Sequence, residues 1–293
     1  MSPMADDLTA PGPGPNRAGD QADLVAPGGG EPPDVLTLSG VTLNFGGLNA
    51  VSNVDLRLAR GELVGLIGPN GAGKTSIFNL LTGVYPPTAG QIEFVRDGTT
   101  RHLGGMKPHA ICWAGIGRTF QNIRLFRALT VIDNVMIALQ HNLPYSLLDA
   151  FLHTPKQLRV ERQLREQSLE LLAIMGLEAK ADELAQNLPY GEQRRLEIAR
   201  AMATKPVLLL LDEPAAGMNP AETAELTELI GWLRQEFHLT ILLIEHDMSL
   251  VMRICERIYV LNHGVVIATG TPAEVRHDPA VIEAYLGEEV ADA

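Results

Sequence analysis

Apolar residues fall along this chain in short runs whose character changes three times. Leu36-Thr37-Leu38, Val41-Thr42-Leu43-Asn44-Phe45 and Val51 to Leu58 are brief and punctuated by turns, the last closing on the polar Arg60-Gly61-Glu62. Such runs predict a small antiparallel sheet beside the next one. Leu63-Val64-Gly65-Leu66-Ile67 is continuous and strand-length, as a buried strand would be. Between about 130 and 187 the period lengthens. Across Glu161 to Leu177 the residues Leu164, Leu171, Leu172 and Met175 fall at i, i+7, i+8 and i+11, which predicts a helix stopped at Gly176. Lys156, Arg159, Arg162 and Arg165 recur at threes through that region and read as its solvated face.

From Leu188 onward strands and helices alternate again. Val207 to Leu211 and Leu239 to Glu245 read as buried strands. The stretch from Pro220 to Phe237 reads as a helix with Leu226, Leu229, Ile230, Leu233 and Phe237 on one face, and another helix starts at Met248. Asn262-His263-Gly264 separates Ile258-Tyr259-Val260-Leu261 from Val265-Val266-Ile267 as a hairpin would. Thr271-Pro272-Ala273-Glu274 is a capping box with proline at the first helical position, and Asp278-Pro279 opens a last helix. These elements predict an α/β fold: a parallel-sheet core, an antiparallel β subdomain and an inserted α-helical subdomain.

Composition narrows the class. Of 293 residues, 46% are hydrophobic, enough for a core, yet no run approaches the roughly 20 apolar residues that span a bilayer. The start has neither a basic region nor an apolar stretch and so is not a secretory signal. Residues 1–34, rich in proline, glycine and aspartate, offer little to bury and read as a disordered leader. Cys112 and Cys255 stand apart with no metal or redox spacing and read as reduced core thiols. A net charge of −12 excludes a protein that wraps nucleic acid with a basic face.

The chemistry begins where the Leu63–Ile67 run ends. Gly68-Pro69-Asn70-Gly71-Ala72-Gly73-Lys74-Thr75 is an uninterrupted G-x-x-x-x-G-K-T between a strand and a helix start. Its glycines let backbone N–H groups curl around phosphate oxygens, and the first helical turn adds positive potential. Lys74 would then reach the β- and γ-phosphates of a nucleotide, and the Thr75 hydroxyl would ligate Mg²⁺. A second apolar strand, Val207 to Leu211, ends in Asp212-Glu213. Successive strand residues point to opposite sides, so these two acids can divide the work: Asp212 toward Mg²⁺ and Glu213 as general base for the attacking water.

Leu188-Pro189-Tyr190-Gly191-Glu192-Gln193-Arg194-Arg195-Leu196-Glu197-Ile198-Ala199-Arg200-Ala201 resembles the signature motif of ATP-binding cassette (ABC) proteins. Phe45 matches the family's adenine-stacking aromatic, Gln121 in Arg118-Thr119-Phe120-Gln121 its Q-loop, Asn219-Pro220 its D-loop and His246 its switch histidine, all in family order. The resemblance implies a P-loop NTPase (RecA-like) domain over 35–287, with a helical subdomain over about 130–200 and a tail at 288–293. It implies catalytic roles for Glu213, His246 and Gln121 and metal contacts from Thr75, Gln121 and Asp212. The implied nucleotide contacts are Phe45, the loop from Gly68 through Pro69, Asn70, Gly71, Ala72, Gly73, Lys74 and Thr75 to Ser76, and Tyr190, Gly191 and Glu192. The family's signature usually reads Leu-Ser-Gly-Gly-Gln. Here Pro189 replaces the serine, Tyr190 the first glycine, and Asn219 an aspartate in the D-loop. Pro189 has neither hydroxyl nor N–H to offer a phosphate.

The resemblance further implies two ATP sites closed by head-to-tail pairing with a second ATPase subunit, identical or related, and opened by hydrolysis. Gly117 to Phe126, Pro214 to Pro220 and Val281 to Gly287 are similar to ATP-binding subunits of bacterial branched-chain amino acid importers. Urea and amide importers and a lipopolysaccharide exporter ATPase share much of this, and a soluble ABC ATPase without a transport role is the rival from another class. The implied setting is the cytoplasmic face of the inner membrane, peripheral, on separate permease subunits served by a periplasmic substrate-binding protein. No contact with nucleic acid is implied.

Overall fold

The computed structural model describes residues 33–140 and 155–291. The expected leader therefore lies almost wholly outside the described residues, as do the last two residues of the expected tail and the side chain of Lys156. Strands β1 (Asp34–Phe45) and β2 (Leu48–Ala59) form an antiparallel hairpin that turns between Phe45 and Leu48. Strand β4 (Ala89–Arg96) pairs along the other edge of β1 and β5 (Thr99–His102) along β4, giving the order β2-β1-β4-β5. The sequence pattern had not shown β4 and β5, because only Ile92 and Phe94 of β4 are buried and all of β5 is exposed.

The second sheet holds β3 (Leu63–Ile67), β6 (Ile116–Arg118), β7 (Leu208–Asp212), β8 (Thr240–Ile244), β9 (Arg257–Asn262) and β10 (Val265–Gly270), in the order β10-β9-β3-β8-β7-β6. All neighbours run parallel except the β9–β10 hairpin. Every residue of β3, β7 and β8 is buried, as parallel strands covered on both faces require. The two-residue period deals their side chains to separate cores. Leu63, Ile67, Leu209, Leu211, Ile241 and Leu243 join one cluster with the helices. Val64, Leu66, Leu208, Leu210, Leu242 and Ile244 join another with the antiparallel sheet.

Helix α1 (Lys74–Leu81) follows β3, and α2 (Pro108–Ala114) precedes β6. Between β6 and β7 come α3 (Val131–Leu139), α4 (Pro155–Ile174) and α5 (Tyr190–Ala203), which pack on one another. Gly176, at φ 68°, stops the α4 segment where the sequence placed the stop, and Arg159, Arg162 and Arg165 are solvated. After β7 come α6 (Pro220–Glu236), α7 (Met248–Ile254), α8 (Pro272–Arg276) and α9 (Pro279–Ala291). Capping boxes start α6 at Asn219 and α8 at Thr271. Two expectations need correcting. Phe237 caps α6 and packs edge-on against Trp232 at the surface instead of joining the buried face. Cys112 is half-buried, and only Cys255 is a core thiol. No helix among the described residues is long and apolar enough to cross a membrane.

Candidate nucleotide site

Four adjacent strands, β3, β8, β7 and β6, point their C-terminal ends the same way, and each delivers one part of the site. From β3 the chain enters the glycine loop and α1. From β8 it reaches Glu245 and His246, from β7 Asp212 and Glu213, and from β6 Arg118 and then Gln121. With parallel neighbours about 4.8 Å apart, the glycine loop and Glu213 sit roughly two strand spacings from each other.

The glycine loop is shaped by contacts on both sides. A Cβ at Gly68 would lie 2.0 Å from the Leu261 carbonyl oxygen, so only glycine fits between β9 and the loop. Gly73, left-handed at φ 105°, is the N-cap of α1 and provides no side-chain acceptor for the first-turn N–H groups. Those N–H groups suit an anion. Lys74 is buried, with Nζ donating to the Gly68 carbonyl at 2.6 Å and the Pro69 carbonyl at 2.9 Å. Its ammonium thus lies over the loop it belongs to. Thr75 is exposed beside it and Ser76 is half-buried.

Glu213 is the meeting point of the expected catalytic groups. Gln121 Nε2 donates to Glu213 Oε2 at 2.8 Å, and His246 Nε2 lies 3.0 Å from Glu213 Oε1. Two residues remote in sequence therefore converge on one carboxylate, which is held from both sides. Glu213 has φ 46°, a backbone conformation that side chains other than glycine seldom adopt and one that marks functional turns. The donation through Nε2 leaves Gln121 Oε1 as an acceptor.

Asp212 is 3% exposed and pairs with Arg118 at 2.9 Å. Burial pushes its carboxyl upward, and the Arg118 hydrogen bond and charge pull it back. Arg118 also donates to Asn79 of α1 and to Thr82 at its C-cap, and lies over the Phe78 and Phe120 rings. The oxygen donors of Thr75, Gln121 and Asp212 are the hard ligands Mg²⁺ prefers, so the residues fit such an ion. Phe45 ends β1 with 42% exposure and a T-shaped contact to Tyr85, which leaves a ring free to stack on a flat ligand.

The signature segment makes contacts of its own. Tyr190 opens α5 after Pro189, which supplies no side-chain cap. The Tyr190 hydroxyl accepts from Arg194 at 3.0 Å, and its ring lies 3.5 Å from where a Gly217 Cβ would stand. Gly191 faces Glu222, again close to the space a Cβ would take. The Glu192 carboxylate receives Lys180 Nζ at 2.6 and 2.8 Å, so this side chain is engaged within the helical part of its own chain.

The family model for ABC transporters matches residues 51–216, more than half of the chain and all of the features above from the glycine loop through Glu213. The chain belongs to the ABC transporter ATP-binding cassettes. A second model, for branched-chain amino acid ATP-binding cassette transporters, matches residues 265–291. The cassette is 52% identical over 254 residues to the high-affinity branched-chain amino acid transport ATP-binding protein LivG of Escherichia coli, covering 87% of this chain and 98% of that one. It is 48% identical over the same coverage to BraF of Pseudomonas aeruginosa, and 36% to the lipopolysaccharide export ATP-binding protein LptB of Escherichia coli. Among solved structures, the ADP conformation of the cassette MJ1267 superposes with a TM-score of 0.74 at 28% identity, over 87% of this chain and 99% of that one. A dimer of the cassette MJ0796 bound to ADP and phosphate gives 0.67 at 26%, over 81% and 98%. The chain is therefore an ABC-type ATPase with the P-loop α/β fold, of a family that binds nucleotide.

The sequence reading of the cassette gave no role to Glu245. Glu245 is 3% exposed and accepts from the Ala215 and His246 N–H groups at 2.7 and 3.1 Å, so it ties the backbone just after Glu213 to the backbone at His246. Burial pushes its carboxyl upward and those N–H groups offset part of the rise. A carboxylate at the end of the apolar Leu242-Leu243-Ile244 run was the available signal, since a buried acid needs partners.

Proposed function

We propose that this chain is the ATP-hydrolysing subunit of an importer for branched-chain amino acids, working as one of two cassettes beneath a separate permease. The convergence of Gln121 and His246 on Glu213, at the strand ends that also deliver the glycine loop, supports the catalytic part of this reading. The match of residues 265–291 to the branched-chain family and the names of the LivG and BraF relatives support the substrate.

In this reading the glycine loop N–H groups and Lys74 bind the phosphates of ATP, and Phe45 stacks on adenine. Thr75, Gln121 and Asp212 would hold Mg²⁺, which would supply charge neutralisation for the phosphates. Glu213 takes the proton of the attacking water. His246 and Gln121 fix the angle of its carboxylate, so the base is oriented before the nucleotide arrives. Tyr190, which is 44% exposed at the start of α5, and Gly191 beside it would meet the nucleotide of a second cassette. The partnering permease would dock where Phe126, Leu129, Ile137 and Leu184 stand exposed beyond the Gln121 loop, as apolar patches rimmed by charge do at interfaces.

The test is steady-state ATPase of the chain beside Glu213→Gln, with molecular mass in saturating Mg·ATP. The variant should lose about 10²- to 10⁴-fold in hydrolysis, still bind nucleotide and become a dimer. Wild-type turnover by a monomeric Glu213→Gln protein would remove both the base and the two-chain site. In vesicles carrying the cognate permease and binding protein, the same variant should abolish uptake of labelled leucine.

A further inference from the structure

We infer that Arg194 and Glu197 are positioning residues that fasten the start of the signature helix to the Gln121 loop. The part of the chain that would meet the partner's nucleotide thereby sets the geometry of Gln121 and Glu213 in its own site. The inference rests on the two-cassette reading above and adds the residues that tie its two halves together.

Arg194 is the largest fully buried side chain among the described residues, at 0% exposure. Its guanidinium is shared between the Gln121 loop and its own helix. Nη1 donates to the Phe120 carbonyl at 2.7 Å and to Glu197 Oε2 at 2.9 Å. Nη2 donates to the Gln121 carbonyl at 2.9 Å and to the Tyr190 hydroxyl at 3.0 Å. The other oxygen of Glu197 accepts from the Phe120 and Arg124 N–H groups at 3.3 and 3.2 Å. The backbone is therefore gripped on both sides of Gln121, whose own amide grips Glu213. An unbroken chain of hydrogen bonds runs from Tyr190, the first residue of α5, to the candidate base.

The loop has little else to fix it. Residues 121–126 have no regular secondary structure and are largely exposed. Its far end is held by Arg200, which donates to the Arg124 carbonyl and lies over Phe126, and by Asn134, which accepts from Phe126 N–H. A buried ion pair is in general no better for stability than apolar residues of the same volume. Burial pushes the Glu197 carboxyl upward, against the pull of the N–H groups and of Arg194, and Arg194 Nε has no partner. What this costly pair supplies is position. A planar fork can bond two successive carbonyls, a carboxylate and a hydroxyl at once, and a lysine cannot.

The experiment compares Arg194→Lys with wild type in three readouts: kcat and KM for ATP, hydrogen exchange along the chain, and ATP-driven dimer formation in the Glu213→Gln background. Lysine keeps the charge and the pair with Glu197 but loses the fork. We expect kcat to fall about 10- to 100-fold with KM within about twofold, as a displaced catalytic loop gives. Exchange should quicken at amides 120–124 and stay unchanged at 68–75, and the dimer should still form. Glu197→Gln, which keeps the shape, should show the same pattern more weakly and serves if Arg194→Lys does not fold. Wild-type kcat with wild-type exchange at 120–124 overturns the proposal. So does a loss of activity matched by faster exchange throughout, which would make the pair merely structural. If Glu213→Gln alone stays monomeric in Mg·ATP, the two-cassette reading fails instead, and the exchange pattern still decides whether the pair holds the loop.

Discussion

Single residues in this cassette do work that their neighbours in sequence do not reveal. In the proposed mechanism Glu213 is the base and is oriented by Gln121 and His246, which reach it from other strands, so His246→Ala and Gln121→Ala should each lower kcat. Their double variant should fall short of the product of the two losses, because both act through the same carboxylate. Glycine positions in the phosphate loop differ just as sharply. Gly68→Ala drives a methyl into the Leu261 carbonyl and should cost about 1–3 kcal/mol or prevent folding. Gly71→Ala meets open space at φ 74° and should cost about 1 kcal/mol. Chemical denaturation of the two variants measures the difference. Cys255 gives a third test. Burial pushes its thiol up to about 12, so at pH 8 it is protonated as well as enclosed. Iodoacetamide should leave it unmodified in the native protein and label it on unfolding.

At the scale of elements, local chemistry and tertiary demand coincide at most helix starts. Asn219 accepts from the Ala221 and Glu222 N–H groups while Glu222 returns a bond to Asn219 N–H, and Pro220 takes the first helical position. Asn219→Ala should therefore cost about 1 kcal/mol, read as a fall of about 2–4 °C in melting temperature for a domain of this size. Asn219→Asp keeps an acceptor at the cap, so its melting temperature should stay within about 1 °C, inside the range of cap-to-cap exchange. The strands show the opposite limit. β7 and β8 are apolar on both faces, so their sequence fixes burial but carries no instruction about which neighbour each will pair with.

For the whole molecule, the cassette architecture brings the glycine loop, both acids and His246 to one edge of one sheet. Nucleotide that binds only this folded edge stabilises the fold by mass action, by about 2.7 kcal/mol at a concentration 100 times the dissociation constant. Mg·ATP should raise the melting temperature of the wild type, and Lys74→Ala should abolish most of that rise, measured against its own melting temperature without nucleotide. An equal rise in Lys74→Ala would place the nucleotide elsewhere.

Much of this was legible in the chain because its signals are local. The glycine loop, the apolar strand before Asp212-Glu213, the Asn219 and Thr271 caps and the Gly176 stop all depend on residues within a few positions of one another. Their order along the chain was enough to point to the family. What the sequence could not carry is the set of contacts that close over long separations. The exposed β5 has no pattern to read, and Arg118, Arg194 and Glu197 look like ordinary surface charges until folding buries them. A charge inside the protein must find its partners there. Which partner Arg194 finds, 73 residues away at the Gln121 carbonyl, is decided by how α5 packs beneath the end of β6 and by nothing in its own neighbourhood.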